Sequence, residues 1–148
     1  MRPSWDTYFN ALASMISTRS TCRRQQHGAI IVKDKQLLST GFNGAPSGVT
    51  SCDEREICVR EEKGAKPGEH YEWCCALHAE QNAIIQAAKH GTAIIGATIY
   101  VTGAPCLMCA RAIINAGINE VVFAAGERYN TTDSLELLAE AGVKVRVL

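Results

Sequence analysis

The chain has no excess of either charge: 15 Lys and Arg are matched by 15 Asp and Glu across 148 residues. That balance argues against sequence-independent capture of a nucleic acid, which rests on clustered Lys and Arg. Arg19, Arg23 and Arg24 form the one tight basic cluster. No apolar run reaches the length needed to cross a bilayer. The opening residues, Met1-Arg2-Pro3-Ser4-Trp5-Asp6, lack the apolar centre of a secretory leader. No internal repeat or low-complexity segment is present. The expectation is a cytoplasmic protein (host cytoplasm, if the source is viral) with neither a membrane nor a nucleic acid as partner.

Cysteine, by contrast, is plentiful. Seven thiols in a reducing compartment read as free thiols or metal ligands, and an odd number suits metal chemistry better than a disulfide framework. With 47% hydrophobic and 20% charged residues, the composition is that of an ordinary globule. The length predicts a single domain over 1–148 with one core.

His78-Ala79-Glu80 is followed downstream by Pro105-Cys106-Leu107-Met108-Cys109. A catalytic zinc site uses three protein ligands and keeps a fourth position for water, whose pKa the metal lowers. His78, Cys106 and Cys109 are the candidate ligands. Glu80, two residues beyond the histidine, is the candidate proton shuttle. A lone Cys-x-x-Cys is commonly half of a structural zinc ribbon or a redox pair. A structural site, however, wants a fourth protein ligand and no particular carboxylate. The two halves together match the signature of zinc-dependent nucleobase deaminases.

Periodicity supplies the frame. Apolar residues at Trp5, Tyr8, Phe9, Leu12, Met15 and Ile16 predict a helix over Ser4–Ser17. Strands are expected at Gly28–Lys33 and Gln36–Gly41, joined by a tight turn at Asp34-Lys35. A long polar stretch then runs from Asn43 to about Trp73; such loops are usually functional or stapled by metal. Beyond it come helix Leu77–His90, strand Thr98–Thr102, helix Cys106–Ala116, strand Glu120–Ala124, helix Ser134–Ala141 and strand Val143–Leu148. This alternation implies an α/β fold whose first two strands are antiparallel and whose rest are parallel, flanked by helices. Both metal half-sites fall at strand-to-helix junctions, where ligands of open α/β sheets collect.

Cys22, Cys52, Cys58 and Cys74 lie in and around the long loop and match a closed structural zinc site. The bland alternative is scattered buried thiols. His70 and Cys75 are competing ligands.

Blocks along nearly the whole chain extend the motif. They include Arg19-Ser20-Thr21-Cys22-x-Arg24, Gly28-Ala29-Ile30-Ile31-Val32, Gly41-Phe42-Asn43-Gly44-x-Pro46-x-Gly48 and Cys52-Asp53-Glu54. Others are His78 to Ile84, Ala97 to Thr102, Pro105-Cys106-x-x-Cys109-Ala110 and Ile113 to Ile118. From Trp5 to Leu148 the chain resembles the deoxycytidylate deaminase family of the zinc-dependent cytidine deaminase superfamily. It departs from the usual pattern at Phe42, where Tyr is common, and at His27, where an apolar residue is common.

The resemblance implies a three-layer cytidine-deaminase-like fold around a central five-stranded mixed sheet. It implies hydrolysis of dCMP to dUMP and ammonia, feeding dTMP synthesis. It also places a second zinc at positions similar to the loop cysteines in part of the family. Asn43, with Gly41 and Gly44 beside it, is implicated in substrate or effector binding, and Tyr129 in stacking on the pyrimidine. Arg24, with Arg19 and Arg23, is a candidate for phosphate contact. Regulation is expected from dCTP as activator and dTTP with Mg²⁺ as inhibitor, in a homo-oligomer, by resemblance a homohexamer. The competing readings are a deaminase of another free base, nucleoside or tRNA, and an inactive zinc-binding interaction protein. Glu80 counts against the last, because a vestigial site has no reason to keep the one carboxylate that is not a ligand.

Overall fold

A computed structural model describes residues 1–126 and 131–148. Among these, a five-stranded sheet runs in the order β2-β1-β3-β4-β5. Its strands are β1 (Gly28–Lys33), β2 (Gln36–Phe42), β3 (Thr98–Val101), β4 (Glu120–Phe123) and β5 (Lys144–Val147). The first two form an antiparallel hairpin closed at Asp34 and Lys35, both at positive φ (51° and 61°). Two successive residues of that kind match the twist of a two-residue hairpin turn. The β3–β4 and β4–β5 pairs are parallel, as the alternation of strand and helix requires. The joint between the two halves, β1 with β3, is antiparallel.

Side chains alternate across the strands, and the two faces bury different helices. Ile30, Val32, Tyr100 and Val122 meet Phe9 and Ala13 of α1 (Trp5–Ser17). Ala29, Ile31, Ile99, Val101, Val121 and Phe123 meet the opposite layer. That layer holds α3 (Ala79–Lys89), α4 (Leu107–Asn115) and α5 (Thr132–Glu140), which contribute Ala79, Ala83, Ala87, Ala110, Ile113 and Leu138. The result is the expected three-layer α/β/α arrangement. Each fully buried Ile or Leu contributes about 1.5–3 kcal/mol of apolar transfer.

The helices start where local chemistry dictates. Ser4 caps α1 by accepting from the Thr7 amide at 3.1 Å. The alanine-lined face of α3 lets that helix sit very close to β2. A Cβ on Gly41 would come within 2.2 Å of the Ala79 carbonyl oxygen and 2.4 Å of the Ala83 nitrogen. Glycine is required there by contact with a helix backbone.

The long polar stretch is not featureless. It contains α2 (Val59–Glu62) and single 3₁₀ turns at Cys52–Glu54 and Tyr71–Trp73. Its neck is closed by a reciprocal bridge, with Gly44 N donating to Leu77 O at 3.2 Å and Leu77 N to Gly44 O at 2.9 Å. Residues 45–76 therefore leave and re-enter the sheet layer at one point, directly before His78.

Candidate active site

His78 and Cys106 are the N-cap residues of α3 and α4. The His78 amide donates to Gln81 Oε1 at 2.8 Å, and Cys106 Sγ accepts from the Cys109 amide at 3.5 Å. Two helix N-termini thus converge, and their partial positive charge favours thiolate. Cys106 Sγ lies 3.3 Å and Cys109 Sγ 3.4 Å from His78 Nδ1. Among the described residues these three form the one group of His, Cys, Asp or Glu whose ligating atoms all lie within 4.8 Å of one another. Zinc bonds of about 2.0–2.3 Å in tetrahedral geometry hold ligand atoms roughly 3.3–3.8 Å apart. One nitrogen and two sulfurs at these spacings fit that ion.

The thiols divide a proton between them. Cys106 is lowered to about 4 by the thiol hydrogen bond from Cys109, with His78 adding to the effect against burial. Cys109 is raised, first by that same bond and then by burial and the Glu80 carboxylate. Glu80 is only 1% exposed, and its Oε2 is 3.6 Å from Cys109 Sγ. It sits in the first turn of α3, against the ligand set.

These groups line one end of a cavity of about 310 Å³. Its walls also carry Arg23, Arg24, Asn43, Arg60 and Tyr71. Asn43 is buried and acts as a clamp. Its Oδ1 accepts from the His27 amide at 2.8 Å, and its Nδ2 donates to the Gln25 carbonyl at 2.9 Å. Arg24 reaches Glu61 at 3.5 Å. Gly41 and Gly44 line a different cavity, of about 530 Å³, walled by β2, residues 44–47 and Asn82, Gln86 and His90. Tyr129 lies outside the described residues.

The loop cysteines gather near the same cavity, which Cys22, Cys52, Cys58 and Cys74 help to line. Cys52 Sγ is 3.6 Å from Cys75 Sγ. Burial pushes the Cys52 thiol up to about 12, with Cys75, then Cys22 and Cys74, adding to it. His70 is engaged differently: its ring stacks on Trp73 at 3.7 Å, and its Nδ1 is 2.9 Å from Glu72 Oε1.

Two participants left no trace in the motifs. Tyr71 packs edge-on against the His78 ring at 6.0 Å, and Arg60 lies over Tyr71 at 4.6 Å. Both come from the 45–76 loop, and nothing in their sequence neighbourhood marks them.

Residues 3–125 match the family described as the cytidine and deoxycytidylate deaminase zinc-binding region. The chain belongs to that family. It is 42% identical over 127 residues to a deoxycytidylate deaminase of Mycobacterium phage D29, covering 82% of this chain and 95% of the relative. The deoxycytidylate deaminase of Saccharomyces cerevisiae is 38% identical over 146 residues. That match covers 99% of this chain but 45% of the yeast protein, so the chain spans under half of that relative's length. The fold superposes with a TM-score of 0.81 on a dCMP deaminase from the cyanophage S-TIM5, solved in complex with dCMP and dUMP. That protein is 34% identical, and the match covers 100% of this chain and 99% of the other. Membership of a zinc-binding deaminase family and the His-Cys-Cys geometry together assign zinc to this site.

Proposed function

We propose that this chain hydrolyses dCMP to dUMP and ammonia. The observation that carries the proposal is the His78-Cys106-Cys109 triad with Glu80 buried against it, at the end of a nucleotide-sized cavity. A dCMP deaminase that matches the whole chain and a deoxycytidylate deaminase that matches 82% of it support the choice of substrate.

Zinc held by the triad supplies a Lewis acid that makes water nucleophilic near neutral pH. His78 would contribute Nδ1 from the start of α3, and the two cysteines their sulfurs from the start of α4. Among the described residues, Glu80 is the carboxylate that lies against the ligand set without belonging to it. It takes one proton from the attacking water and delivers it to N3 of the cytosine. It then carries the remaining hydroxyl proton of the C4 adduct to the amino group, which leaves as ammonia as the C4 carbonyl forms; both transfers are general acid–base work. Its near-complete burial keeps bulk water from competing for those protons. Asn43 holds the wall of the pocket by tying the 25–27 segment to the end of β2.

Around this centre the reading extends to a second, structural zinc in the loop. Cys22, Cys52, Cys58 and Cys74 are its candidate ligands, with Cys75, 3.6 Å from Cys52, competing for a place. No three of these sulfurs stand within 4.8 Å of one another, so the metal would have to draw them together. The enzyme acts in the cytoplasm as a homohexamer activated by dCTP and inhibited by dTTP with Mg²⁺. The Gly41–Gly48 loop and the cavity beside it serve the effectors.

The test is ammonia release from dCMP, cytidine, dCTP and guanine side by side, with dCMP turned over fastest. A preference for any of the others would overturn the substrate assignment. Saturation curves should be sigmoidal and become hyperbolic with dCTP. A monomer with hyperbolic kinetics, indifferent to both nucleotides, would leave the regulatory half without support.

A further inference from the structure

Arg60 is the most enclosed of the cations lining the catalytic cavity. It is 6% exposed, yet no carboxylate among the described residues lies within 4.0 Å of its guanidinium. Its Nε donates to the Glu69 carbonyl at 3.1 Å, and its Nη2 to the carbonyls of Glu69 and Lys66. Its face lies over Tyr71. Glu72 is exposed, and its carboxyl is lowered first by the hydrogen bond from His70, with Arg60 the smallest contributor.

The other two arginines of this wall are placed differently. Arg24 already faces Glu61, and Arg23 is exposed, with its Nη1 bonded to the Glu56 carbonyl at 2.6 Å.

A buried guanidinium served only by carbonyls and a ring has its donors partly used and its charge unanswered. It is therefore primed for an anion, and its fork suits phosphate oxygens. Its position selects which anion. Arg60 lies over Tyr71, and Tyr71 lies edge-on to the metal-binding His78. The guanidinium thus stands one aromatic ring beyond the reacting centre. In a pyrimidine nucleotide the 5′ phosphate lies beyond the sugar, away from the amino group under attack.

We propose that Arg60 binds the 5′ phosphate of the substrate, and so makes the site prefer a nucleotide to a nucleoside. This rests on the deaminase reading above and deepens it. Arg60 is then a specificity residue supplied by the 45–76 loop, with the Glu69 and Lys66 carbonyls fixing its orientation and Tyr71 walling the space between phosphate and metal.

The experiment compares kcat/KM for dCMP and for deoxycytidine in wild type, Arg60→Gln and Arg60→Lys, with thermal melts of all three. Hydrogen bonds to a charged group set the expected size of the effect. For dCMP, Arg60→Gln should lose roughly 10- to 100-fold, chiefly through KM, while deoxycytidine turnover stays within about 2-fold. Arg60→Lys should recover part of the loss, because it restores charge without the fork. Inorganic phosphate should inhibit dCMP turnover competitively in wild type and more weakly in Arg60→Gln. Equal losses for both substrates, or failure of both variants to fold, would show that Arg60 only staples the loop, and the proposal falls. A wild type that prefers dCMP, with an Arg60→Gln variant that keeps that preference, overturns the role of Arg60 alone. A wild type inert toward both substrates overturns the deaminase reading itself.

Discussion

Arg146 on the last strand grips Asp6 in the first helix. Nη1 donates to Oδ2 at 2.8 Å and Nη2 to Oδ1 at 3.0 Å, while Nε donates to Glu120 Oε1 at 2.6 Å. Tyr100 adds its hydroxyl to Asp6 Oδ1 at 2.8 Å. Arg146 and Tyr100 hold the Asp6 carboxyl below its ordinary value of 3.8, the Arg146 hydrogen bond being the largest cause. A carboxyl lowered on folding stabilises the fold above its unfolded pKa, and that contribution is lost as pH falls through the folded value. Asp6→Asn should therefore lower Tm at pH 7. The gap to wild type should narrow as pH drops below about 4 and close once Asp6 is protonated in the fold. With both side chains about one-third exposed, solvent screening holds the effect to about 1 kcal/mol. Melts of both proteins at pH 7 and in acid check this; a gap that stays constant would remove Asp6 as the cause.

Gly41→Ala should be among the most damaging small substitutions outside the metal ligands. The added methyl meets backbone atoms of α3 at 2.2 Å and 2.4 Å, so the helix carrying Glu80, with His78 at its N-cap, must move. Overpacking of this kind costs about 1–3 kcal/mol, which in a chain of this size is a fall of roughly 3–10 °C in Tm. Gly44→Ala is the control, since its Cβ would meet nothing closer than Thr21 Oγ1 at 3.5 Å. Equal melting temperatures for the two variants would contradict the close approach.

Glu80→Gln should keep its metal and lose its chemistry. The substitution preserves shape in a site that is 1% exposed, and Glu80 is not a ligand. A drop in kcat of about 10²–10⁴ is expected if it serves the proton transfers. Cys106→Ala should lose activity and one zinc together. Full activity in a metal-replete Glu80→Gln enzyme would end the shuttle role.

Metal analysis should find about two zinc ions per chain. Cys52→Ala should release one of them and lower Tm without touching the catalytic ion, because structural zinc binding contributes folding energy. One zinc per chain, with Cys52→Ala fully stable, would return the loop cysteines to the status of ordinary buried thiols.

The elements that the sequence made legible are those whose signals are local. Helix α1 announces itself by the spacing of Trp5, Phe9, Leu12 and Ile16, and the β1–β2 hairpin by alternation around Asp34-Lys35. The starts of α3 and α4 are marked by the very residues that point at the metal. Asn43 was ambiguous for the opposite reason. A turn residue before a glycine looks the same whether it binds a nucleotide or the backbone. Its neighbours split as well, with Asn43 on the catalytic cavity and Gly41 and Gly44 on the cavity behind β2.

By itself the sequence determined the family and its zinc ligands, and pointed to the chemistry. The identity and spacing of His78, Cys106 and Cys109 name the metal, and Glu80 beside them suggests the proposed proton carrier and reaction type, because ligand preference is a property of side-chain atoms and survives without coordinates. Only the tertiary structure decided what surrounds that chemistry. Gly44 and Leu77 pinch the 45–76 loop at its neck, and the returning loop sets Tyr71 edge-on to His78 with Arg60 over the far tyrosine ring. Such approaches depend on where a non-periodic loop returns. That return is set by long-range backbone pairing and burial, for which the sequence carries no local pattern.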